Sequence, residues 1–232
     1  KKRVVITGMG VVSPLGNEID KFWNNLVAGT NGVTTQDWLV EEGYNATVAA
    51  TVKDDLHIDD VVDFKEARRM DPFTRYSVHS AKTAIEQSGL DTSNEDPSRM
   101  GVIIGSGVGG LYTFEEQHAM LIKRGHRRVS PFFIPMMIPD IAAGQISIIN
   151  GFRGPNYATV SACASSTHAL IDSFNLIRLG KADVIVSGGS EAAVTEGAIG
   201  GFNALKALST RNEDPKKASR PFDKTRDGFV LG

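Results

Sequence analysis

The sequence predicts an α/β protein built on a parallel sheet, and two features of its pattern carry that prediction. Four short apolar runs, rich in β-branched residues, are spread along the 232 residues, and amphipathic stretches of helical length lie between them. The runs are continuous rather than alternating, as in strands that are covered on both faces. Alternation of strand and helix is typical of right-handed crossovers within one sheet.

The apolar runs and amphipathic stretches define the predicted elements. The runs RVVIT, RMGVIIG, YATVSA and ADVIVSGG predict buried strands at residues 3–7, 99–105, 157–162 and 182–189. The amphipathic stretches predict helices at residues 18–29, 75–89 and 164–180, each ending at a glycine.

The composition is that of an ordinary globular protein, with 41% hydrophobic and 22% charged residues. A formal net charge of -2 gives no overall field that would attract nucleic acid or a membrane surface. A membrane span needs about 20 apolar residues in succession, and no window of the sequence approaches that length. We therefore expect no nucleic-acid partner and no membrane partner.

The chain contains a single cysteine, Cys163. One cysteine excludes an internal disulfide framework and a zinc site made from several cysteines. It suits a reducing compartment, and the apolar run in KKRVVITGMG is too short for a secretory signal. These features predict a cytoplasmic protein without a metal site.

Two glycine-rich stretches follow predicted strands: GMGVVSPLG at residues 8–16 and GSGVGG at residues 105–110. The second has the glycine spacing of a dinucleotide-binding turn. However, no Asp or Glu lies between Glu116 and Asp140, where the ribose would need one. We interpret these glycines as tight turns and close packing, or as backbone that approaches an extended ligand.

Cys163 lies in YATVSACASSTHAL, where a predicted strand meets a predicted helix. The N-terminus of a helix stabilises a thiolate, and the small neighbours leave room for a substrate carbonyl. The same backbone N–H groups can bind the oxyanion of a tetrahedral intermediate. The alternative is a cysteine that only fills space in the core. The position favours a nucleophile.

A nucleophilic cysteine needs a base, and the spacing of the five histidines supplies none. His168 is nearest in sequence, but five helical positions turn it about 140° from the sulfur, so we interpret it as a packed or hydrogen-bonded helix residue. His118 and His126 flank a basic segment and are predicted to be exposed. The remaining histidines are His57 and His79.

Proline residues punctuate an unusually apolar segment, VSPFFIPMMIPDIAAGQISIING at residues 129–151. One interpretation is a loop folded over the core. The other is a partner interface or the wall of a site for an apolar ligand. We favour the interface.

Several long blocks of the sequence resemble the β-ketoacyl-[acyl carrier protein] synthases, and among them the elongating condensing enzymes of type II fatty-acid synthesis. The blocks occur in the expected order along the whole chain: VVITGMGVVSPLGN, GVIIGSGVGGL, RVSPFFIPMMIPD, GPNYATVSACASSTHAL, SGGSEA and ALSTRNEDPKKASRPFDKTRDGFVLG. The resemblance implies a thiolase-like fold of two βαβαβαββ halves, layered α/β/α, in a homodimer. Residues 1–232 would be the first half with its insertions, ending before the last strand of that half.

The resemblance also implies the chemistry. In similar enzymes the residue matching Cys163 takes an acyl chain from a phosphopantetheine thioester of acyl carrier protein. Malonyl-acyl carrier protein then loses CO2, and the carbanion attacks the acyl-enzyme. Two histidines, a lysine and a glycine-rich Phe loop complete such sites, and all would lie in the second half. No resident cofactor is expected.

The acyl tunnel of similar enzymes is lined by residues that match a set spread over this chain. Phe133 and Ile134 would come from the neighbouring subunit, and Val108 stands where a larger Ile gate is common. The other matching positions are Gly107, Ala162, Ala193, Ala198 and Phe202.

Two basic segments, FKEARRMD and IKRGHRR, are most simply solvated surface. The resemblance gives them a partner, because clustered lysines and arginines steer and orient an acidic carrier protein. The expected docking residues are Lys65, Arg68, Arg69, Arg124, Arg127, Arg128 and Lys206.

Two other functions remain open from the sequence. One is a ketosynthase-like partner without catalytic activity, although such partners typically replace the cysteine. The other is a thiolase or related acyltransferase that uses coenzyme A, which the RPFDKTRDGFVLG block fits less well.

Overall fold

The computed structural model describes residues 2–52, 56 and 58–232, without the side chain of Asp59. These residues form two compact units. The first unit contains residues 2–10, 56 and 58–192, and the second contains residues 11–52 and 193–232.

Most of the described residues outside loops are helical. The helices are α1 Ile19–Val27, α2 Asp37–Glu41, α3 Phe64–Ala67, α4 Pro72–Ser88, α5 Leu111–Arg124, α6 Phe133–Met137, α7 Ile141–Asn150, α8 Ser165–Arg178 and α9 Glu196–Ala204. The strands are β1 Thr34–Thr35, β2 Val48–Ala49, β3 Met100–Gly105, β4 Asn156–Thr159 and β5 Val184–Gly189.

The first unit is built around β3, which lies between β4 and β5 in a parallel sheet. All six residues of β3 are buried. Met100, Val102 and Ile104 share a core with α4 and α7 on one face. Because side chains alternate along a strand, Gly105 points to the other face, where α8 packs. The first unit therefore has three layers, α/β/α.

The second unit has its own small core. The unit contains the antiparallel pair β1–β2, and its core consists of Leu39 of α2, Ala46, Ile199 of α9 and Leu208. The Tyr44 hydroxyl donates a 3.2 Å hydrogen bond to the carbonyl of Glu196. This contact ties the early part of the unit to its C-terminal part, which is far away in sequence.

The strand predicted at residues 3–7 is wrong. These residues have no strand pairing, and Val5 and Ile6 are exposed. The segment that follows lies along α4 instead: the Met9 amide donates to Gln87 Oε1 at 2.7 Å, and Gly8 and Gly10 contact the main chain of that helix. An apolar β-branched run favours a strand only where a sheet edge offers hydrogen-bonding partners.

The other predicted elements are confirmed with shifted ends. α4 begins three residues early because Asp71 caps it and Pro72 occupies its first position. β4 ends at Thr159, three residues before the prediction. The expected burial of all strands holds for β3 alone, since β4 and β5 each have one sheet neighbour among the described residues.

Within residues 2–52, 56 and 58–232, no helix combines the length and apolarity of a membrane span. The same residues contain no group of three or more His, Cys, Asp or Glu side chains arranged to hold a metal ion.

A buried carboxylate joins two helices of the first unit. Asp71 is fully buried and caps α4, where one oxygen accepts the amide of Phe73 at 3.2 Å. The other oxygen accepts the amide of Thr113, in the first turn of α5, at 2.8 Å. Burial raises the pKa of Asp71, although the hydrogen bonds from Thr113 and Phe73 and the nearby Arg75 oppose that rise.

We expect Asp71→Ala to destabilise the protein by about 2–4 kcal/mol, because α4 loses its cap and the buried Thr113 amide loses its acceptor. Asp63→Ala removes the exposed cap of α3 and is the matched control, with an expected loss of about 0.5–1 kcal/mol. Guanidinium denaturation followed by circular dichroism measures both losses. Equal losses would show that the buried bond to α5 contributes nothing.

Candidate active site

Cys163 lies in a tight turn between β4 and α8. The turn Ala162–Ala164 is a short 3-10 helix, and α8 starts two residues after the cysteine. The thiol is free and exposed. The prediction that the cysteine stands at a strand-to-helix junction is confirmed, and the interpretation as a buried space-filler is wrong.

The turn rests on the carboxyl ends of the three parallel strands. Gly105 at the end of β3 is in register with Thr159 on one side and Gly189 on the other. A Cβ on Gly105 would run into the main chain of Ser165, and one on Gly189 would lie 2.6 Å from Cβ of Ser166. The two glycines therefore let the first turn of α8 sit directly on the end of the sheet.

The conformation of the turn is strained and is held by side-chain hydrogen bonds. Ala162 has a φ of +50°, an unusual value for a residue with a Cβ. The buried Ser165 hydroxyl donates to the carbonyl of Ala162 at 2.7 Å and accepts the amide of Ser161 at 2.8 Å. Thr159 Oγ1 donates to the carbonyl of Ser165 at 2.8 Å. These bonds fix the backbone on both sides of Cys163.

This position suits nucleophilic chemistry. The backbone N–H groups at the start of α8 and the helix dipole favour negative charge next to the sulfur. They also offer donors to an oxyanion that forms on a carbonyl attacked there. The exposed thiol is open to a substrate.

The glycine-rich loop after β3 lies beside the turn. A Cβ on Gly107 would be 3.6 Å from Cα of Ala162, so the loop backbone passes close to the residue that precedes the cysteine. Val108 is about half exposed (52%) at the surface of this loop. The first unit thus brings Gly107 close to Ala162 and the Cys163 turn, and Val108 is the next residue after Gly107 in the loop.

The loop also contacts the apolar segment at residues 129–151. The amide of Gly110 donates to the carbonyl of Met137 at 2.9 Å. Phe133 and Ile134 lie on the short helix α6 that ends at Met137, and Phe133 packs near Phe114 with ring centroids 6.3 Å apart. Ile134 is exposed. Their expected contribution to a neighbouring subunit stays a prediction.

The remaining expected tunnel residues belong to the second unit. Ala193 is buried, and the amide of Ala198 is bonded to Thr195 Oγ1 in the cap of α9. Phe202 packs edge-on against Phe229, with ring centroids 5.2 Å apart. Their part in an acyl tunnel stays a prediction.

Among the described residues, no histidine forms a hydrogen bond with Cys163. His168 Nδ1 lies 2.7 Å from Ser161 Oγ, which confirms its interpretation as a hydrogen-bonded helix residue. His118 and His126 are exposed, as expected. His57 falls outside the described residues.

The expected docking residues of the first unit occur on two segments, residues 65–69 and 124–128. The Arg69 guanidinium lies 4.3 Å from the centroid of the Phe132 ring, and Arg68 lies 5.8 Å from that of Phe64. The exposed members of the set are Lys65, Arg68, Arg124, Arg127 and Arg128. Lys206 belongs to the second unit, where it is exposed with a φ of +55°.

One charged side chain beside the Cys163 turn, Glu191, was not predicted from the sequence. Its carboxylate accepts the amide of Gly107 at 2.6 Å and that of Val108 at 3.2 Å, and Ser106 Oγ donates to it at 3.1 Å. The sequence did contain a signal for this contact: Ser106 follows β3, and Glu191 follows β5 after one residue. Because the carboxyl ends of parallel strands meet at one edge of a sheet, such residues are expected to lie close together.

Comparison with known proteins assigns the family. Residues 1–232 match the family described as beta-ketoacyl synthase, N-terminal domain. The chain is 48% identical over 231 residues to 3-oxoacyl-[acyl-carrier-protein] synthase 2 of Staphylococcus aureus (strain N315), and 45% identical over 232 residues to the protein of that name from Vibrio cholerae. Each alignment covers 100% of this chain. The chain belongs to the beta-ketoacyl synthase family.

The fold comparison agrees with that assignment. The crystal structure of a beta-ketoacyl synthase from Burkholderia phymatum matches with a TM-score of 0.84 at 33% identity, covering 99% of this chain and 56% of that one. The chain spans about half the length of the relatives, 55% and 56% of the two synthases. The predicted thiolase-like α/β fold of an N-terminal half is confirmed.

We expect Gly105→Ala to destabilise the protein by about 1–3 kcal/mol, because the added methyl overlaps the main chain of Ser165. It should also slow alkylation of Cys163 by iodoacetamide, since the first turn of α8 is displaced. Gly188→Ala is the matched control, because a Cβ at Gly188 meets nothing within 4 Å. If the two variants behave alike, the close packing of α8 on β3 does not control the turn.

Proposed function

We propose that the protein is a 3-oxoacyl-[acyl carrier protein] synthase of fatty-acid elongation, in which Cys163 carries the acyl group. The observation that supports this most strongly is the exposed thiol in a strained turn at the head of α8, in a chain of this family. The names of the Staphylococcus aureus and Vibrio cholerae relatives support the substrate class.

The proposed reaction has two stages. The Cys163 thiolate attacks the carbonyl of an acyl thioester, the tetrahedral intermediate collapses, and the carrier thiol leaves with a proton. A malonyl thioester then loses CO2, and the resulting carbanion attacks the acyl carbon on Cys163. The carbon–sulfur bond breaks, the 3-oxoacyl thioester is released, and the thiolate is restored.

The chain supplies the nucleophile and part of its surroundings. The backbone N–H of Cys163 is the proposed oxyanion donor, and Gly107, Val108 and Ala162 form the proposed wall of the acyl pocket. The two histidines, the lysine and the Phe loop implied by the resemblance would come from the remainder of the protein. The proposal includes no resident cofactor, because the thioester itself supplies an activated acyl group.

Exposed charges and exposed apolar side chains of the first unit support the proposed partners. An acidic acyl carrier protein is the proposed partner of the exposed arginines at residues 124–128, since opposite charges steer and orient association. A homodimer is proposed because Leu170, Ile171 and Phe174 on α8 are large apolar side chains that lie exposed. The cytoplasmic location stays a prediction.

Acyl transfer to Cys163 is the first test. We expect a radiolabelled acyl-acyl carrier protein to acylate the full-length protein, and Cys163→Ala to abolish the label. Ser161→Ala keeps the thiol and is the control. Labelling that persists in Cys163→Ala would refute the proposed nucleophile. Acylation from coenzyme A thioesters in preference to carrier-protein thioesters would instead favour the thiolase alternative.

Docking is tested by charge reversal. We expect Arg127→Glu combined with Arg128→Glu to raise KM for acyl-acyl carrier protein about tenfold at low salt, with kcat nearly unchanged. An acyl-pantetheine thioester, which lacks the acidic protein, should react as before. Lys181→Glu reverses an exposed charge in another segment and is the control. An equal effect on both donors would refute docking at these arginines.

A further inference from the structure

Glu191 is bonded to three consecutive residues of the glycine-rich loop. Its Oε2 accepts the amides of Gly107 (2.6 Å) and Val108 (3.2 Å), and its Oε1 accepts the hydroxyl of Ser106 (3.1 Å). Ser106 is buried, and its oxygen in turn accepts the amide of Gly109 at 3.0 Å. The loop is thus bonded to one carboxylate directly at three residues and through Ser106 at a fourth.

Hydrogen bonds of the preceding residue hold the backbone that carries Glu191 in place. The preceding residue, Ser190, donates its hydroxyl to the carbonyl of Phe73 at 2.6 Å and its amide to the carbonyl of Gly105 at 3.0 Å. These bonds fix the end of β5 to the end of β3 and to the start of α4. A carboxylate on such a support can determine where a flexible glycine loop lies.

The loop is held between Glu191 and the nucleophile turn. A Cβ on Gly107 would lie 2.9 Å from Glu191 Oε2 and 3.6 Å from Cα of Ala162. A side chain at this position would therefore crowd the Glu191 carboxylate. The side chain of Val108 follows directly, so its position relative to the Cys163 turn depends on the bonds that Glu191 makes to residues 106–108.

We propose that Glu191 is a positioning residue that clamps the loop at residues 106–109 against the Cys163 turn, and thereby sets how strictly the pocket discriminates acyl chain length. This inference rests on the proposed function, because the position of Gly107 and Val108 in the pocket wall affects the reaction only if Cys163 carries an acyl chain. Glu191 touches no reacting atom in this role. It acts through the backbone of Gly107 and Val108.

The test compares Glu191→Ala, which removes both acceptors, with Glu191→Gln, which keeps one uncharged carbonyl acceptor. Glu116→Ala and Glu116→Gln are matched controls on an exposed face of α5. Hydrogen exchange of the Gly107 and Val108 amides in the full-length protein is the readout that does not depend on activity. We expect exchange about tenfold faster in Glu191→Ala and a smaller, severalfold increase in Glu191→Gln, since bonds to a charged acceptor are the stronger ones.

The second readout is the ratio of Cys163 acylation rates with short and long acyl thioesters. We expect that ratio to move towards one in the order wild type, Glu191→Gln, Glu191→Ala, while alkylation of Cys163 by iodoacetamide stays within about twofold, because the bonds of Ser165 still hold the turn. A role limited to stability would lower all acylation rates together and leave the ratio unchanged.

The outcomes separate the two proposals. Wild-type exchange rates in both Glu191 variants, or an unchanged length ratio in a wild type that acylates normally, overturns the clamp. If Glu191→Ala does not fold, Glu191→Gln decides by the same two measurements. A wild-type protein that no acyl thioester acylates refutes the proposed function instead, and the exchange measurement still tests the bonds.

Discussion

The close contact between the first turn of α8 and the ends of three parallel strands is the constraint on which the site depends. Gly105 and Gly189 lie side by side in register, and side chains larger than hydrogen there would push Ser165 and Ser166 away. Because Ser165 holds the carbonyl of Ala162, the position of α8 on the sheet also fixes the turn that carries Cys163. Cys163, the proposed nucleophile, is therefore placed by backbone packing rather than by contacts of its own side chain.

Two carboxylates anchor the loop that faces this turn, and neither needs to act as an acid or a base to do so. Glu191 accepts the amides at the start of the loop, and Asp71 accepts the amide of Thr113 just after its end. Anionic acceptors suit such positions because several amides converge without another partner. Burial raises the pKa of Asp71, and the hydrogen bonds from Thr113 and Phe73, at the N-termini of two helices, oppose that rise.

The sequence predicted what depends on local pattern. The junction at Cys163 followed from a β-branched run, small residues and an amphipathic stretch in succession, and it is present. The bonds of Glu191 and Asp71 could not be predicted in this way, because they join residues 84 and 42 positions apart. The wrong prediction of a strand at residues 3–7 has the same cause, because an apolar run favours a strand but does not show which strand would pair with it. The tunnel and docking residues came from the resemblance, not from the pattern.

The Cys163 turn and the glycine-rich loop at residues 106–109 are held by separate sets of hydrogen bonds, and this separation has a consequence for the proposed function. Ser165 and Thr159 hold Cys163, whereas Glu191 and Ser106 hold Gly107 and Val108. The two sets meet where Gly107 passes Ala162. A change in the loop can then alter the shape of the space beside the sulfur while the Cys163 turn keeps its conformation. For the proposed acyl transfer, this arrangement would let selectivity for chain length vary without loss of the chemistry at Cys163.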